Sequence, residues 1–151
     1  MCKIKIRVMK KIVLMIFGLM IFTTTTYGQT VYKSLQDLRD AYIEGFKNSD
    51  TEAILKVYSN DASVHNIDGS LLTGADEIRD FYNGFFEESK GTIEFKNMSE
   101  DQLSDDIFFY HDKVFLNIEG EDNTQDIEVV NIAKRTNGRW RVIKSYRWPK
   151  P

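Results

Sequence analysis

"AYIEGFKNSDTEAILKVYSNDASVHNIDG", residues Ala41–Gly69, decides how this chain folds. It opens inside a helical pattern, breaks at "NSD", resumes a shorter helical pattern, then passes into alternation and an Asp-Gly turn signal. In that alternation Val64 and Asn66 point one way, Ser63 and His65 the other. Three capping-box spacings frame the stretch: "SLQD" at Ser34, "SDTE" at Ser49 and "TGAD" at Thr73. In each, a hydroxyl can accept from an orphan amide at a helix start while the acid reaches back to the cap's own amide. Apolar residues at helical spacing follow every box. Leu35, Leu38, Tyr42 and Phe46 mark helix one. Ile54, Val57 and Tyr58 mark a short helix two. Ile78, Phe81, Tyr82, Phe85 and Phe86 mark helix three.

Those stripes need a partner, and the C-terminal half supplies one. "TIEFKNM", "DIFFY", "KVFLNIE", "DIEVVNIAKR" and "RWRVIKSYRW" are rich in β-branched and aromatic residues, as strands are. "TNG", Thr136–Gly138, reads as a hairpin turn, and "HDK" and "GEDNTQD" read as the other reversals. Helices first and antiparallel strands after predict a single α+β domain, with three N-terminal helices on one face of a curved, mostly antiparallel sheet.

The first 28 residues read differently. Five basic residues precede the apolar run "IVLMIFGLMIF" and the small-residue segment "TTTTYG". This is the pattern of a secretory signal peptide, and the run is short for a membrane span, which takes about 20 apolar residues. Cleavage is expected after Gly28, giving a mature domain over residues 29–151 that is secreted or periplasmic, with no membrane attachment after cleavage; an uncleaved N-terminal anchor is the alternative. Residues 1–28 hold five of the 20 basic residues and none of the 23 acidic ones, so the mature formal charge is −8. That argues against nucleic acid as a partner. The single cysteine, Cys2, precedes the apolar run, and only two histidines occur. No disulfide, thiolate nucleophile, multi-histidine metal site or cofactor is expected.

With these parts in order, the chain resembles the nuclear transport factor 2-like superfamily, nearest its SnoaL-like and ketosteroid isomerase-like branches. The resemblance rests on "AYIEGFKNSDTEAILKVYSNDASVHNIDG…LLTGADEIRDFYNGF" and the closing "KRTNGRWRVIKS", and it spans residues 33–147. It implies a cone-shaped α+β barrel enclosing a pocket, commonly in a homodimer. The resembled isomerases use an Asp base with a Tyr and a protonated Asp as oxyanion donors. By position, the tyrosine falls on Tyr42, the base on Asn66 and the second acid on Asn131. An amide cannot take up a proton at neutral pH, so the resemblance implies donors retained and the base lost.

The expected function is therefore binding of a small apolar or mildly polar molecule, not ketosteroid isomerisation. Tyr42, Asn66 and Asn131 would supply hydrogen bonds, and Tyr58, Tyr82, Phe86 and Phe109 apolar lining. Tyr146 and Trp148 belong to the same aromatic supply, and Trp140 reads as core. The alternative is a proton-transfer enzyme of isomerase, dehydratase or cyclase type, with Asp68 or His65 as a substitute base. Against that, His65 alternates away from the pocket and Asp68 sits in "IDGS", where an Asp-Gly pair makes a turn. His111 reads as an exposed hairpin residue and Asp61 as a cap or turn. A third reading is a homodimeric interaction module without a ligand, joined through the open sheet face.

Overall fold

The computed structural model describes residues 32–150. The expected signal peptide, its expected cleavage site and Cys2 lie outside the described residues. Three helices, α1 (Leu35–Lys47), α2 (Thr51–Leu55) and α3 (Gly74–Glu88), accompany six strands. The strands are β1 (Tyr58–His65), β2 (Leu71–Thr73), β3 (Gly91–Ser104), β4 (Ile107–Ile118), β5 (Gln125–Thr136) and β6 (Arg139–Pro149). They form one sheet in the order β2-β1-β6-β5-β4-β3. Only the β1–β6 pairing is parallel; all others are antiparallel.

The predicted α+β architecture is the one observed: helices on one face of a curved, mostly antiparallel sheet. Ile54, Ala62, Val64 and Ile78 are fully buried between them, joined by Leu38, Tyr82 and Val142. Each large apolar side chain so buried is worth about 1.5–3 kcal/mol. "TNG" makes the expected β5–β6 hairpin turn. Asn137 and Gly138 both have positive φ, at 53° and 74°, as a type I′ turn demands.

Local details depart from the capping pattern. At Ser34 the full box forms: its hydroxyl accepts from Asp37 N at 3.1 Å, and Asp37 Oδ2 accepts from Ser34 N at 3.1 Å. At the second helix the cap is Asp50, whose Oδ1 accepts from Ala53 N at 2.9 Å. Ser49 is instead left-handed at φ 52°, closing α1 through its amide to Phe46 O. Thr73 makes no side-chain cap bond, and its amide donates to Glu77 Oε2 at 2.6 Å rather than to Asp76, so the box does not form. The second helix ends at Leu55, so Tyr58 opens β1 rather than closing a helix, and Asp61 lies within that strand.

"HDK" is no reversal. "DIFFY" and "KVFLNIE" belong to one strand, β4, and the β3–β4 turn falls at Asp105–Asp106. The polar triplet misled because Asp112 is buried, a position that local composition does not reveal.

β6 carries the irregularity that matters most. Ile132 pairs with Lys144, but Ala133 pairs with Val142, so Ile143 is an extra residue in β6. Such a bulge shifts the alternation by one. Before it, Trp140 and Val142 face the core; after it, Ser145 and Arg147 do. Tyr146 and Trp148 are turned to the outer face, where Tyr146 stacks on His65 and Trp148 on His111.

Candidate functional site: a cavity between helices and sheet

A cavity of ≈130 Å³ lies between α1, α3 and the inner sheet face. Most of its wall is apolar, with Phe46, Phe81, Phe85 and Phe95 prominent. Its polar groups come in rows across the sheet. Asp112 on β4, Val129 on β5 and Arg147 on β6 are register partners in one row. Tyr110, Asn131 and Ser145 form the next, continued by Val64 on β1.

Tyr42, Asn66 and Asn131 all line this cavity, together with Tyr58 and Tyr82. Each has a structural reason to be there. Tyr42 lies on the inward stripe of α1 with Leu38 and Phe46. Asn66 follows β1 in phase with Val64 and is held by a turn, its amide donating to Ser70 O at 2.8 Å. Asn131 alternates with Val129 and Ala133 on β5.

Arg147 organises the tyrosines. Its Nη2 donates to Tyr58 OH at 2.7 Å and Tyr82 OH at 2.9 Å, and Nη1 reaches Asn66 Oδ1 at 3.4 Å. Tyr82 and Tyr42 hydroxyls are hydrogen-bonded to each other. Burial pushes the Tyr42 hydroxyl up to about 12, with Arg147 pulling the other way. Tyr58 and Tyr82 are raised for the same reason, also partly offset by Arg147. Burial lowers the proton affinity of Arg147, but the surrounding tyrosine hydroxyls raise it well above the ordinary range. At neutral pH the cluster is three neutral phenols around one cation.

A second charged group lies beside it. Arg39, on α1, forms a bidentate pair with Asp112: Nε to Oδ2 and Nη2 to Oδ1, both at 2.8 Å. Its Nη1 reaches Glu100 at 2.7 Å, and Asn97 Nδ2 lies 3.3 Å from Asp112 Oδ1. Asp112 is wholly buried and is the only carboxylate lining the cavity among the described residues. Both its oxygens are occupied, so it is poorly placed to accept a substrate proton.

The two substitute bases lie elsewhere. His65 is exposed on the outer sheet face, stacked on Tyr146 at 4.6 Å between ring centroids. Asp68 is an exposed turn residue whose Oδ1 accepts from Ser70 N at 2.9 Å and Ser70 Oγ at 2.6 Å. The Ser70 hydroxyl, with its amide, holds the Asp68 carboxyl below the usual range. Neither residue reaches the cavity, because the strand alternation and turn geometry direct both away. Two aromatics also depart from expectation. Phe109 alternates with Tyr110, which takes the inward position. Phe86 packs on Phe46, 5.3 Å between centroids, without lining the cavity. His111 is mid-strand, its Nε2 at 2.6 Å from Glu128 Oε2.

Sequence reading missed Arg147, Ser145, Arg39 and Asp112. One signal existed: Arg39 stands four residues after Leu35, inside the apolar stripe of α1. Strict alternation of "RWRVIKSYRW" would have sent Arg147 outward, since nothing in that run announces the bulge.

Comparison with known proteins accords with this geometry. The chain resembles a domain assigned as a calcium/calmodulin-dependent protein kinase type II association domain from Thiobacillus denitrificans, with TM-score 0.72 and 17% identity over 81% of this chain and 99% of that one. A ketosteroid isomerase-like protein from Erwinia carotovora atroseptica aligns with TM-score 0.67 and 17% identity, over 77% and 94%. A domain of unknown function with a cystatin-like fold from Nostoc punctiforme aligns with TM-score 0.68 and 14% identity, over 76% and 74%. At these identities the likeness is one of fold. No curated protein matches the chain. The SnoaL-like domain matches residues 40–143, which take in α2, α3, β1–β5 and the bulge of β6, and the chain belongs to that family, within the nuclear transport factor 2-like superfamily.

Proposed function

We propose that this is an exported SnoaL-like protein that binds a small apolar or mildly polar molecule in its cavity, and that it is not a ketosteroid isomerase. One observation carries the reading: Tyr42, Asn66 and Asn131 share a single cavity whose only carboxylate among the described residues, Asp112, is engaged by Arg39 on both oxygens. Donors without a free base suit recognition rather than proton abstraction. Size narrows the ligand. A dry apolar cavity of about 150 Å³ accepts benzene, whereas drug-sized ligands occupy about 300–1,000 Å³. At ≈130 Å³ the cavity fits a single ring or a short branched chain, not a fused polycycle.

Isothermal titration calorimetry with benzyl alcohol, benzamide and benzoate tests this. Saturable binding of at least one probe, abolished when Asn131→Phe fills the cavity, is expected. His65→Ala and Asp68→Asn should leave that binding unchanged. Absence of saturable heat with all three probes would overturn the reading.

The same reading includes pairing of two copies through the outer sheet face. Tyr146 and Trp148 stand there, beside the His111–Glu128 hydrogen bond and the Lys113–Asp126 ion pair, both at 2.6 Å. Two neighbouring aromatics on a face whose Lys113 is already paired suit a second copy of the same face.

A further inference from the structure

Three polar groups on the inner face keep bonding capacity toward the cavity. Ser145 is 1% exposed, lines the cavity, and its hydroxyl has no hydrogen-bond partner. Asn131, directly opposite it on β5 and 6% exposed, makes no side-chain hydrogen bond to any described residue. Arg147, two residues along β6 on the same face, is bonded to Tyr58, Tyr82 and Asn66. Those are neutral groups, and among the described residues no carboxylate lies within ion-pair distance of it.

The contrast with Arg39 is informative. Two arginines line one cavity, and only one has its counter-ion. Asp112, two strands away from Arg147 in the same row, is about 10 Å distant by strand spacing and is engaged by Arg39 on both oxygens. The Arg39–Asp112 pair is neutral as a unit, and Glu100, which bonds Arg39 from outside the cavity lining, is 37% exposed, so Arg147 is left with no carboxylate in contact. Leaving a half-buried cation without an anion, and a buried hydroxyl and amide unpaired, is costly. A bound anion would satisfy all three.

Resting on the pocket reading above, we infer that the ligand is a monocarboxylate with a single-ring or short branched apolar body, its carboxylate seated by Arg147, Ser145 and Asn131. A guanidinium matches the planar, two-oxygen shape of a carboxylate, and the serine hydroxyl and asparagine NH₂ are its complementary donors. The phenylalanines opposite receive the apolar body. A single carboxylate is the match, since of the two guanidiniums lining the cavity only that of Arg147 has no carboxylate bonded to it among the described residues.

The test is calorimetry on the full-length chain with benzoate and with benzamide, which keeps ring and shape and lacks the charge. Benzoate is expected to bind at least about tenfold tighter than benzamide, the margin of a desolvated charge-assisted pair over a neutral one. Arg147→Met should erase that preference, and Ser145→Ala should reduce it. The benzoate–benzamide ratio on the unmodified chain decides the matter even if Arg147→Met does not fold. Equal binding, or a preference for benzamide, would overturn the carboxylate assignment while the pocket reading survived. Binding of neither, nor of benzyl alcohol, would remove both.

Discussion

Asp112 and the cavity tyrosines are where single side chains decide most. Asp112→Asn keeps the shape of the site but strips Arg39 of its buried counter-ion, leaving Glu100, whose side chain is 37% exposed. Loss of about 3–5 kcal/mol is expected, as for buried pairs broken on one side. Arg39→Met combined with Asp112→Leu should recover most of it, which a double-mutant cycle by urea denaturation would measure. The tyrosines set an alkaline limit. Unfolded tyrosine ionises near its ordinary value of 10.0, whereas Tyr42 in the fold does so only near about 12, and Tyr58, Tyr82 and Tyr110 are raised as well. Above pH 10 the unfolded state therefore binds fewer protons than the native state. The stability these groups contribute is full below that pH and is lost as pH rises through the folded values. Unfolding and tyrosinate absorbance should rise together above pH 10. Early tyrosinate absorbance in a still-folded chain would contradict this.

Among the elements, the α1–α2 junction separates what spacing suggests from what geometry selects. Ser49 and Asp50 both look like caps in "NSD". The structure gives the cap to Asp50, and Ser49 takes the left-handed position that glycine prefers. Asp50→Ala should cost about 1 kcal/mol, while Ser49→Gly should be neutral or slightly stabilising, as thermal melts of the two variants would show. Gly45 on α1 explains why the helices meet so closely there. A Cβ at this position would stand 2.9 Å from Ile54 Cγ1. The bulge at Ile143 acts on the same scale. One inserted residue turns Ser145 and Arg147 inward and makes β6 a wall of the site rather than a plain core strand.

For the whole molecule, the sheet divides labour between its faces. The inner face, with the helices, encloses the cavity; the outer face carries Tyr146 and Trp148, the latter 40% exposed. If two copies pair there, Trp148→Glu should convert a dimer to a monomer by sedimentation velocity while leaving benzyl alcohol or benzoate binding intact. A wild-type chain that sediments as a monomer would remove the pairing.

Much of the fold was legible because it follows from local rules. The helical apolar stripes, the "TNG" turn and the alternation through Val64 and Asn66 each depend on residues close in sequence; it was the family resemblance that pointed to Tyr42, Asn66 and Asn131 as residues of one cavity. What the sequence could not yield depends on partners far along the chain. Asp112 looks like a turn residue until Arg39, 73 positions away, accounts for its burial. Arg147 looks outward-facing until the pairing of β5 with β6 reveals the extra residue at Ile143. Local composition determined the three helices, the order of helices before strands and the closing hairpin. Only tertiary pairing, through strand register and a buried ion pair, decided which charges face the cavity.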